Sequence, residues 1–201
     1  MQLCSIDTSC SGPTSTSHWI IRDVLLASAY PGAKDYDEHR QITRSIYKSG
    51  VHVFVNLMEL KELIRFTPYE SDIQEYARQD NRKVEFISFP IPDQYICRDN
   101  EKLLDFCLNL CKRIRDDQQN IVIHCWGGHG RTGTIISILI GILFNLEADD
   151  AIKYNYQLKR QRLRVKGKTS SLHSRQCEQV QTVLRIYQDQ QESFVEQEIL
   201  E

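Results

Sequence analysis

The sequence has no apolar run long enough to cross a lipid bilayer. Its longest apolar stretch, residues 135–144, is interrupted by Ser137 and Gly141, and a transmembrane helix needs roughly 20 predominantly apolar residues. The first 17 residues are rich in Ser and Thr and lack the apolar core of a secretory signal. We therefore expect neither a membrane span nor secretion. A cytoplasmic location is expected, and a nuclear pool stays open.

Paired cysteine motifs are also missing. The cysteines number seven, which is odd, and none of them forms a C-x-x-C pair. A disulfide framework or a zinc ribbon needs such pairs. The pattern favours free thiols, so each cysteine has to be considered by itself, and no metal site is expected.

The chain has no large excess of either sign of charge. The chain carries 25 Lys and Arg against 27 Asp and Glu, a net charge of -2, which disfavours a protein that binds nucleic acid in bulk. A length of 201 residues and an ordinary hydrophobic share of 41% are typical of one globular domain. We assign residues 18–188 to this domain, residues 1–17 to a flexible N-terminal tail and residues 189–201 to a polar C-terminal tail. The sequence does not predict the oligomeric state.

Hydrophobic periodicity predicts strands that alternate with helices. Such alternation is typical of an α/β domain with a mostly parallel central sheet flanked by helices. Proline and glycine residues mark several of the breaks between elements. The predicted strands cover residues 19–21, 24–27, 51–57, 84–89 and 121–123, and the predicted helices cover residues 36–49, 69–81, 103–114, 134–145, 148–162 and 172–188.

The segment HCWGGHGRTG, residues 124–133, lies between a buried strand and a helix that is apolar nearly all round. Backbone N–H groups at a helix N-terminus favour a bound anion, and closely spaced glycines let those N–H groups turn inward. Arg131 adds a planar fork for two phosphate oxygens. Cys125 would lie at the bottom of this cradle, where a thiolate is stabilised and can attack a phosphoryl group.

Phosphate ester cleavage also needs a general acid for the leaving oxygen. Asp93 follows the predicted strand 84–89 on a loop that Pro90 and Pro92 stiffen. Because the carboxyl ends of parallel strands meet at one edge of a sheet, this loop and Cys125 are expected at the same edge.

These residues resemble the cysteine-based protein tyrosine phosphatases, and in particular the compact dual-specificity branch. The resemblance rests on Cys125 and Arg131 with five residues between them, on the flanking His124 and Thr132, and on the upstream Pro-Asp loop. It covers residues 18–188. The long phosphotyrosine-recognition segment of the larger tyrosine-specific enzymes is not identifiable here.

The resemblance implies a role for each site residue. Cys125 would form a cysteinyl-phosphate, Asp93 would protonate the leaving group and then assist water, and Thr132 would stabilise the departing thiolate. His124 would order the loop and favour the thiolate, and Gln176 would position water. No cofactor or metal is implied. The loop residues that would hold the phosphoryl oxygens are Trp126, Gly127, Gly128, His129, Gly130 and Arg131.

The substrate stays open between a phosphorylated protein, which we favour, and a phosphoinositide or soluble inositol phosphate. Seven basic residues near the C-terminal helices bear on this choice, because they form either a solvated helix face or a rim that attracts polyanions. Two other classes of protein also stay open: a phosphate-binding module without catalysis, and a rhodanese-like sulfurtransferase. The basic residues are Lys153, Lys159, Arg160, Arg162, Arg164, Lys166 and Lys168.

Overall fold

Strands and helices alternate along most of the chain, as the periodicity predicts. The computed structural model describes residues 1–6, 9–164 and 172–200. The elements are β1 (Ser17–Ile21), β2 (Leu25–Ser28), α1 (Tyr36–Lys48), β3 (Val53–Asn56), α2 (Leu60–Leu63), α3 (Glu70–Gln79), β4 (Glu85–Ser88), α4 (Asn100–Arg115), β5 (Ile121–His124), α5 (Gly130–Phe144), α6 (Ala148–Lys159) and α7 (Ser174–Leu200). The prediction did not include α2.

The strands form one sheet in the order β1-β2-β5-β3-β4. The pairs β2–β5, β5–β3 and β3–β4 are parallel, and only the edge strand β1 is antiparallel to its neighbour β2. The central strands β2, β3 and β5 are buried along their whole length, as expected for strands covered on both faces. The α/β prediction with a mostly parallel sheet is confirmed.

The carboxyl ends of the parallel strands meet in one row. His124, the last residue of β5, lies beside Ser28 of β2 and Asn56 of β3, and Asn56 in turn lies beside Ser88 of β4. The loops that follow these residues therefore open at the same edge of the sheet. This register brings the loop with Cys125 next to the loop that carries the two prolines before Asp93.

Helix α5 lies in the middle of the domain. It packs against α4, α6 and α7 and against strands β2 and β5, and nearly all of its residues are buried. The cause is visible in its sequence, which is apolar on every side, so that no face of the helix is suited to water. The helix begins at Gly130, within the glycine-rich segment, so this segment is anchored by a helix whose residues are nearly all buried.

The N-terminal segment corrects the expectation of a flexible tail over residues 1–17. The backbone N–H of Cys4 donates to the carbonyl of Ile20 at 2.9 Å, and the N–H of Trp19 donates to the carbonyl of Cys10 at 2.8 Å. Both cysteine side chains are buried. The partners come from strand β1, which the polar composition of the segment does not reveal.

The predicted helix 172–188 is longer in the structure and includes most of the segment expected as a polar C-terminal tail, residues 189–201. Helix α7 continues through this segment to Leu200, and residue 201 lies outside the described residues. Glu and Gln, which dominate the segment, have good helix propensity.

No helix within the described ranges is both long enough and apolar enough to cross a membrane.

Candidate active site

Cys125 follows β5 directly and opens the loop of residues 125–129, after which helix α5 begins at Gly130. The cysteine side chain is buried, with 3% of the residue exposed. The loop thus has the predicted location between a buried strand and a buried helix, and the N–H groups of the first turn of α5 face the loop side.

The loop takes a shape that requires glycine at one position. Gly128 has a φ of +69°, and a side chain there would place its Cβ 2.4 Å from the carbonyl oxygen of Ser28. Two loop carbonyls are fixed from outside: that of Trp126 accepts from the Tyr30 N–H at 2.9 Å, and that of Gly127 accepts from Arg162 Nη1 at 3.2 Å. A trans peptide holds its C=O and N–H on opposite sides. The N–H groups of residues 127 and 128 therefore point away from these anchors, as an oxyanion cradle needs.

Arg131 is buried and is held by two carboxylates. Glu62 accepts from it in a bidentate pair, with distances of 2.6 Å to Nη1 and 3.0 Å to Nη2. Asp93 accepts from Nη2 at 2.8 Å, and the carbonyl of Ile91 accepts from Nη1 at 3.1 Å. Burial favours a lower pKa for this guanidinium, but its hydrogen bonds with Glu62 and the nearby negative charges outweigh burial and raise the pKa.

Glu62 is a residue of the site that the sequence analysis did not identify. It lies on the short helix α2, where it also accepts from the backbone N–H of Glu59 at 2.9 Å. Burial favours a higher pKa for its carboxyl group, but the hydrogen bond from Arg131 and that N–H outweigh burial and lower the pKa. Glu62 is therefore a carboxylate that fixes one edge of the arginine fork.

Asp93 lies on the loop expected at this edge of the sheet and contacts Arg131. It is the more exposed of the two carboxylates, with 39% of its side chain accessible. In this arrangement its Oδ1 accepts from Arg131 Nη2. A bound phosphoryl group would compete for the same N–H group. Asp93 would then be released towards the leaving oxygen, where a general acid has to act.

His124 lies beneath the loop and is fully buried. Its Nε2 is 2.7 Å from the hydroxyl of Tyr69, and its Nδ1 is 3.4 Å from the carbonyl oxygen of Cys125. Burial lowers the pKa of His124 to about 3, so the ring is neutral, donates from Nδ1 and accepts the Tyr69 proton at Nε2. His124 is thus a neutral ring that fixes the loop through the Cys125 carbonyl and the Tyr69 hydroxyl. Tyr69 is a second residue that the sequence analysis missed.

Thr132, His129 and Gln176 all lie at the loop. The Thr132 hydroxyl is buried and has no hydrogen-bond partner among the described residues, while His129 is buried and precedes helix α5. Gln176, on α7, is buried with its side-chain amide so close to Gly130 that an added Cβ would lie 2.7 Å from Nε2. Its Nε2 also donates to the carbonyl of Tyr95 at 3.4 Å. Gln176 therefore connects the catalytic loop with the segment that follows Asp93.

Trp126 points to solvent at the site entrance, with 54% of the residue exposed. Its ring and that of Phe66 pack edge to face, with the ring centroids 6.3 Å apart. Both aromatic residues line a cleft of about 920 Å³ that also reaches Glu62 and Asp93. Within the described residues, no group of His, Cys, Asp or Glu side chains is arranged to hold a metal ion.

The structure divides the basic cluster of the C-terminal region. Lys153 is exposed on α6, Arg160 is exposed directly after that helix, and Arg164 is exposed at the cleft. Lys159 and Arg162 are buried instead, which corrects the interpretation of the whole cluster as either a solvated face or a rim. Lys166 and Lys168 lie outside the described residues.

Two curated relatives match parts of the chain. The protein 197R of Invertebrate iridescent virus 6, whose name describes a tyrosine phosphatase, is 35% identical over 106 residues, which are 52% of this chain and 36% of that protein. PTEN1 of Arabidopsis thaliana, named as a phosphatidylinositol 3,4,5-trisphosphate 3-phosphatase and protein-tyrosine-phosphatase, is 24% identical over 135 residues, 66% of this chain and 30% of that protein. The chain thus spans about a third of the length of these relatives.

Solved structures share the fold at low sequence identity. PTPMT1 in complex with PI(5)P superposes with a TM-score of 0.65 at 15% identity, covering 87% of this chain and 97% of PTPMT1. Tk-PTP in its active form superposes with a TM-score of 0.59 at 21% identity, covering 81% of this chain and 92% of Tk-PTP. A family profile described as "Swiss Army Knife protein, DSP-PTPase phosphatase domain" matches residues 15–195. The chain therefore belongs to this family of dual-specificity, cysteine-based protein tyrosine phosphatase domains.

Proposed function

We propose that the chain hydrolyses phosphomonoesters through a cysteinyl-phosphate intermediate and needs no metal ion. The observation that carries this proposal is the meeting of Cys125, Arg131 and Asp93 at one edge of the sheet, with Arg131 Nη2 2.8 Å from the Asp93 carboxylate. Nucleophile, anion-binding fork and general acid are the groups that phosphoryl transfer to a thiolate requires.

The first step transfers the phosphoryl group to the enzyme. The Cys125 thiolate attacks phosphorus, the new P–S bond forms, and the P–O bond to the leaving group breaks. The proton of the Asp93 carboxyl group goes to the leaving oxygen. The N–H groups of the loop and Arg131 bind the non-bridging oxygens, where negative charge has to be held.

The second step returns the enzyme to its starting state. The Asp93 carboxylate takes a proton from water, the water oxygen attacks phosphorus, and the P–S bond breaks. The buried Thr132 hydroxyl, which has no partner among the described residues, is available to donate to the departing thiolate. Gln176, packed against Gly130, is suited to orient the attacking water.

The preferred substrate is a phosphorylated protein, and phosphotyrosine is the phosphorylated residue that should be hydrolysed fastest. The cleft beside the catalytic loop has an aromatic wall made by Trp126 and Phe66. Such a wall suits a flat phenyl ester, because aromatic rings pack at their edges and faces. Phosphoserine and phosphothreonine reach the same loop with less contact to this wall.

A phosphoinositide or inositol phosphate is the second candidate. Four basic side chains line the same cleft, Lys34, Lys61, Arg65 and Arg164, and they would attract a substrate with several phosphate groups. The names of PTEN1 and of the PTPMT1 complex include phosphoinositides, which supports this candidate. Asp35, Glu38, Glu62 and Asp93 also line the cleft, however, so its acidic side chains equal its basic ones in number.

The test is phosphate release by the wild type and by Cys125→Ser, with EDTA present throughout. The panel contains an aryl phosphate, phosphotyrosine and phosphothreonine peptides, short-chain phosphoinositides and inositol polyphosphates. Release that depends on Cys125 and is fastest with the phosphotyrosine peptide supports the proposal, and faster release from inositol lipids favours the second candidate. Phosphate binding without release from any substrate would identify a binding module instead.

A further inference from the structure

Two cations are buried behind the catalytic loop, and neither has a carboxylate partner among the residues that the structure describes. Lys159, the last residue of α6, is 5% exposed, and Arg162 is 6% exposed. The ion pairs of the described part of the chain involve other side chains. Charged side chains are rarely buried unless they are paired, so their counter-charge has to be identified.

Arg162 contacts the catalytic loop directly. Its Nη1 donates to the carbonyl of Gly127 at 3.2 Å, and its Nε donates to Nδ1 of His18 at 2.8 Å. Its Nη2 is buried without a partner among the described residues. His18 accepts this hydrogen bond as a neutral ring, because burial, together with the charges of Arg162 and Lys159, lowers its pKa well below the ordinary value. The histidine therefore supplies no negative charge to balance the pair.

Among the described residues, His129 and Tyr156 also lie near the pair. His129 of the catalytic loop acts on His18, and the Tyr156 ring of α6 has its centroid 5.6 Å from Lys159 Nζ. Burial and then the Arg162 charge lower the pKa of Lys159 to about 8, and burial lowers that of Arg162 to about 10. Negative charge on Cys125 acts in the opposite direction on both.

We propose that Lys159 and Arg162 form an internal cation pair whose counter-ion is the anion held in the catalytic loop. That anion is the Cys125 thiolate in the free enzyme and the phosphoryl dianion when substrate is bound. The effect is reciprocal: if negative charge on Cys125 favours the two cations, the two cations favour the thiolate by the same free energy. A buried site makes this interaction stronger than it would be in water.

Arg162 has a second role in this proposal. By holding the carbonyl of Gly127, it turns the N–H of Gly128 to the other side of the same peptide, towards the bound anion. Both residues are positioning residues, since they act through Cys125 and the loop backbone. The proposal rests on the proposed function, because the dianion it names is the substrate's phosphoryl group.

The experiment uses Lys159→Met, which keeps the length of the side chain and removes its charge. Alkylation of Cys125 by iodoacetamide, a neutral reagent, is followed by mass spectrometry from pH 5 to pH 9, and tungstate binding is measured by calorimetry. We expect alkylation near pH 6 to slow roughly tenfold and the oxyanion to bind roughly tenfold more weakly, as for the loss of one nearby charge. Lys153→Met, which changes an exposed lysine of the same helix, should match the wild type.

Lys159→Arg should restore most of both effects, which a purely structural role of the lysine stem would not produce. Arg162→Lys keeps the charge but changes the contact with Gly127, so it should weaken tungstate binding more than it slows alkylation. If Arg162→Lys does not fold, as judged by circular dichroism, the Lys159 variants decide.

Alkylation and oxyanion binding in Lys159→Met that equal those of the wild type would overturn the inference. Neither measurement requires turnover. A wild type that shows no phosphate release but retains the Lys159-dependent alkylation would therefore refute the proposed function and leave the cation pair supported. Normal turnover together with Cys125 alkylation that does not depend on the charge at residue 159 would support the proposed function and refute the cation pair.

Discussion

Replacing Lys159 by methionine should stabilise the protein at neutral pH, although it should impair the active site. The pKa of Lys159 is lowered from 10.5 to about 8, first by burial and then by the charge of Arg162. A difference of this size corresponds to about 3 kcal/mol of folding free energy. The pKa of Lys159 in the folded state lies below that in the unfolded chain. The loss of folding stability caused by its burial is therefore fully present below about pH 8. It disappears as the pH rises towards 10.5, since the unfolded chain then holds the proton that the folded protein has lost.

The assay is urea denaturation of the wild type and Lys159→Met at a series of pH values from 7 to 10, followed by circular dichroism. Methionine also changes packing, but that contribution is nearly independent of pH. The stability advantage of Lys159→Met should therefore shrink by about 2–3 kcal/mol across the series. Lys153→Met should show no such trend, because Lys153 is exposed. A pH-independent difference between wild type and Lys159→Met would refute the reasoning that Lys159 is a buried ammonium whose protonation costs folding free energy.

Three further substitutions test the remaining parts of the site. Cys125→Ser should abolish phosphate release and keep tungstate binding in calorimetry, because Arg131 and the loop N–H groups remain; retained turnover would contradict the nucleophile assignment. Asp93→Asn should lower kcat/KM by ~10²–10⁴-fold for esters with poor leaving groups and much less for nitrophenyl phosphate, and an equal loss for both classes would make Asp93 structural. Asp99→Asn, which changes the N-cap of α4, is its control. Glu62→Gln should lower the free energy of unfolding in urea by ~1–3 kcal/mol, since it removes the charge from a buried bidentate pair; an unchanged midpoint would show that the pair does not hold Arg131.

The fold and the catalytic loop were predictable because their signals are local. Strands β3 and β5 are short β-branched runs, and α5 is apolar on every side. The residues from Cys125 to Arg131 are contiguous, so their chemistry can be inferred from spacing alone. Asp93 was found for a related reason: two prolines after a strand mark a loop, and parallel topology places that loop at a known edge.

The partners of the loop were not predictable because they are distant in the sequence. Glu62 is 69 residues from Arg131, Tyr69 is 55 residues from His124, and Arg162 is 144 residues from His18. Helix α2, which carries Glu62, has only four residues and therefore leaves no periodic signal. These contacts depend on how loops converge, which composition and spacing do not encode.

The basic cluster shows the same limit at closer range. Lys159, Arg160, Arg162 and Arg164 are similar residues within one short segment, and the pattern gives no reason to separate them. The end of α6 and the turn after it direct Lys159 and Arg162 inward and Arg160 and Arg164 to solvent. The path of the backbone decides which of these side chains are exposed and can attract a polyanion, and which are buried and act on the catalytic loop.

The two sides of the catalytic loop are charged in different ways. On one side Arg131 is paired with Glu62 and Asp93, so its charge is largely neutralised until Asp93 moves away. On the other side Lys159 and Arg162 lack a carboxylate within the described residues. A bound phosphoryl dianion would release Asp93 from the first side and compensate the cations on the second. Substrate binding would thereby relieve a charge imbalance that the free enzyme tolerates at a cost in stability, as functional sites commonly do. Anion binding should therefore stabilise this protein, and the gain in unfolding free energy with tungstate should be smaller in Lys159→Met than in the wild type.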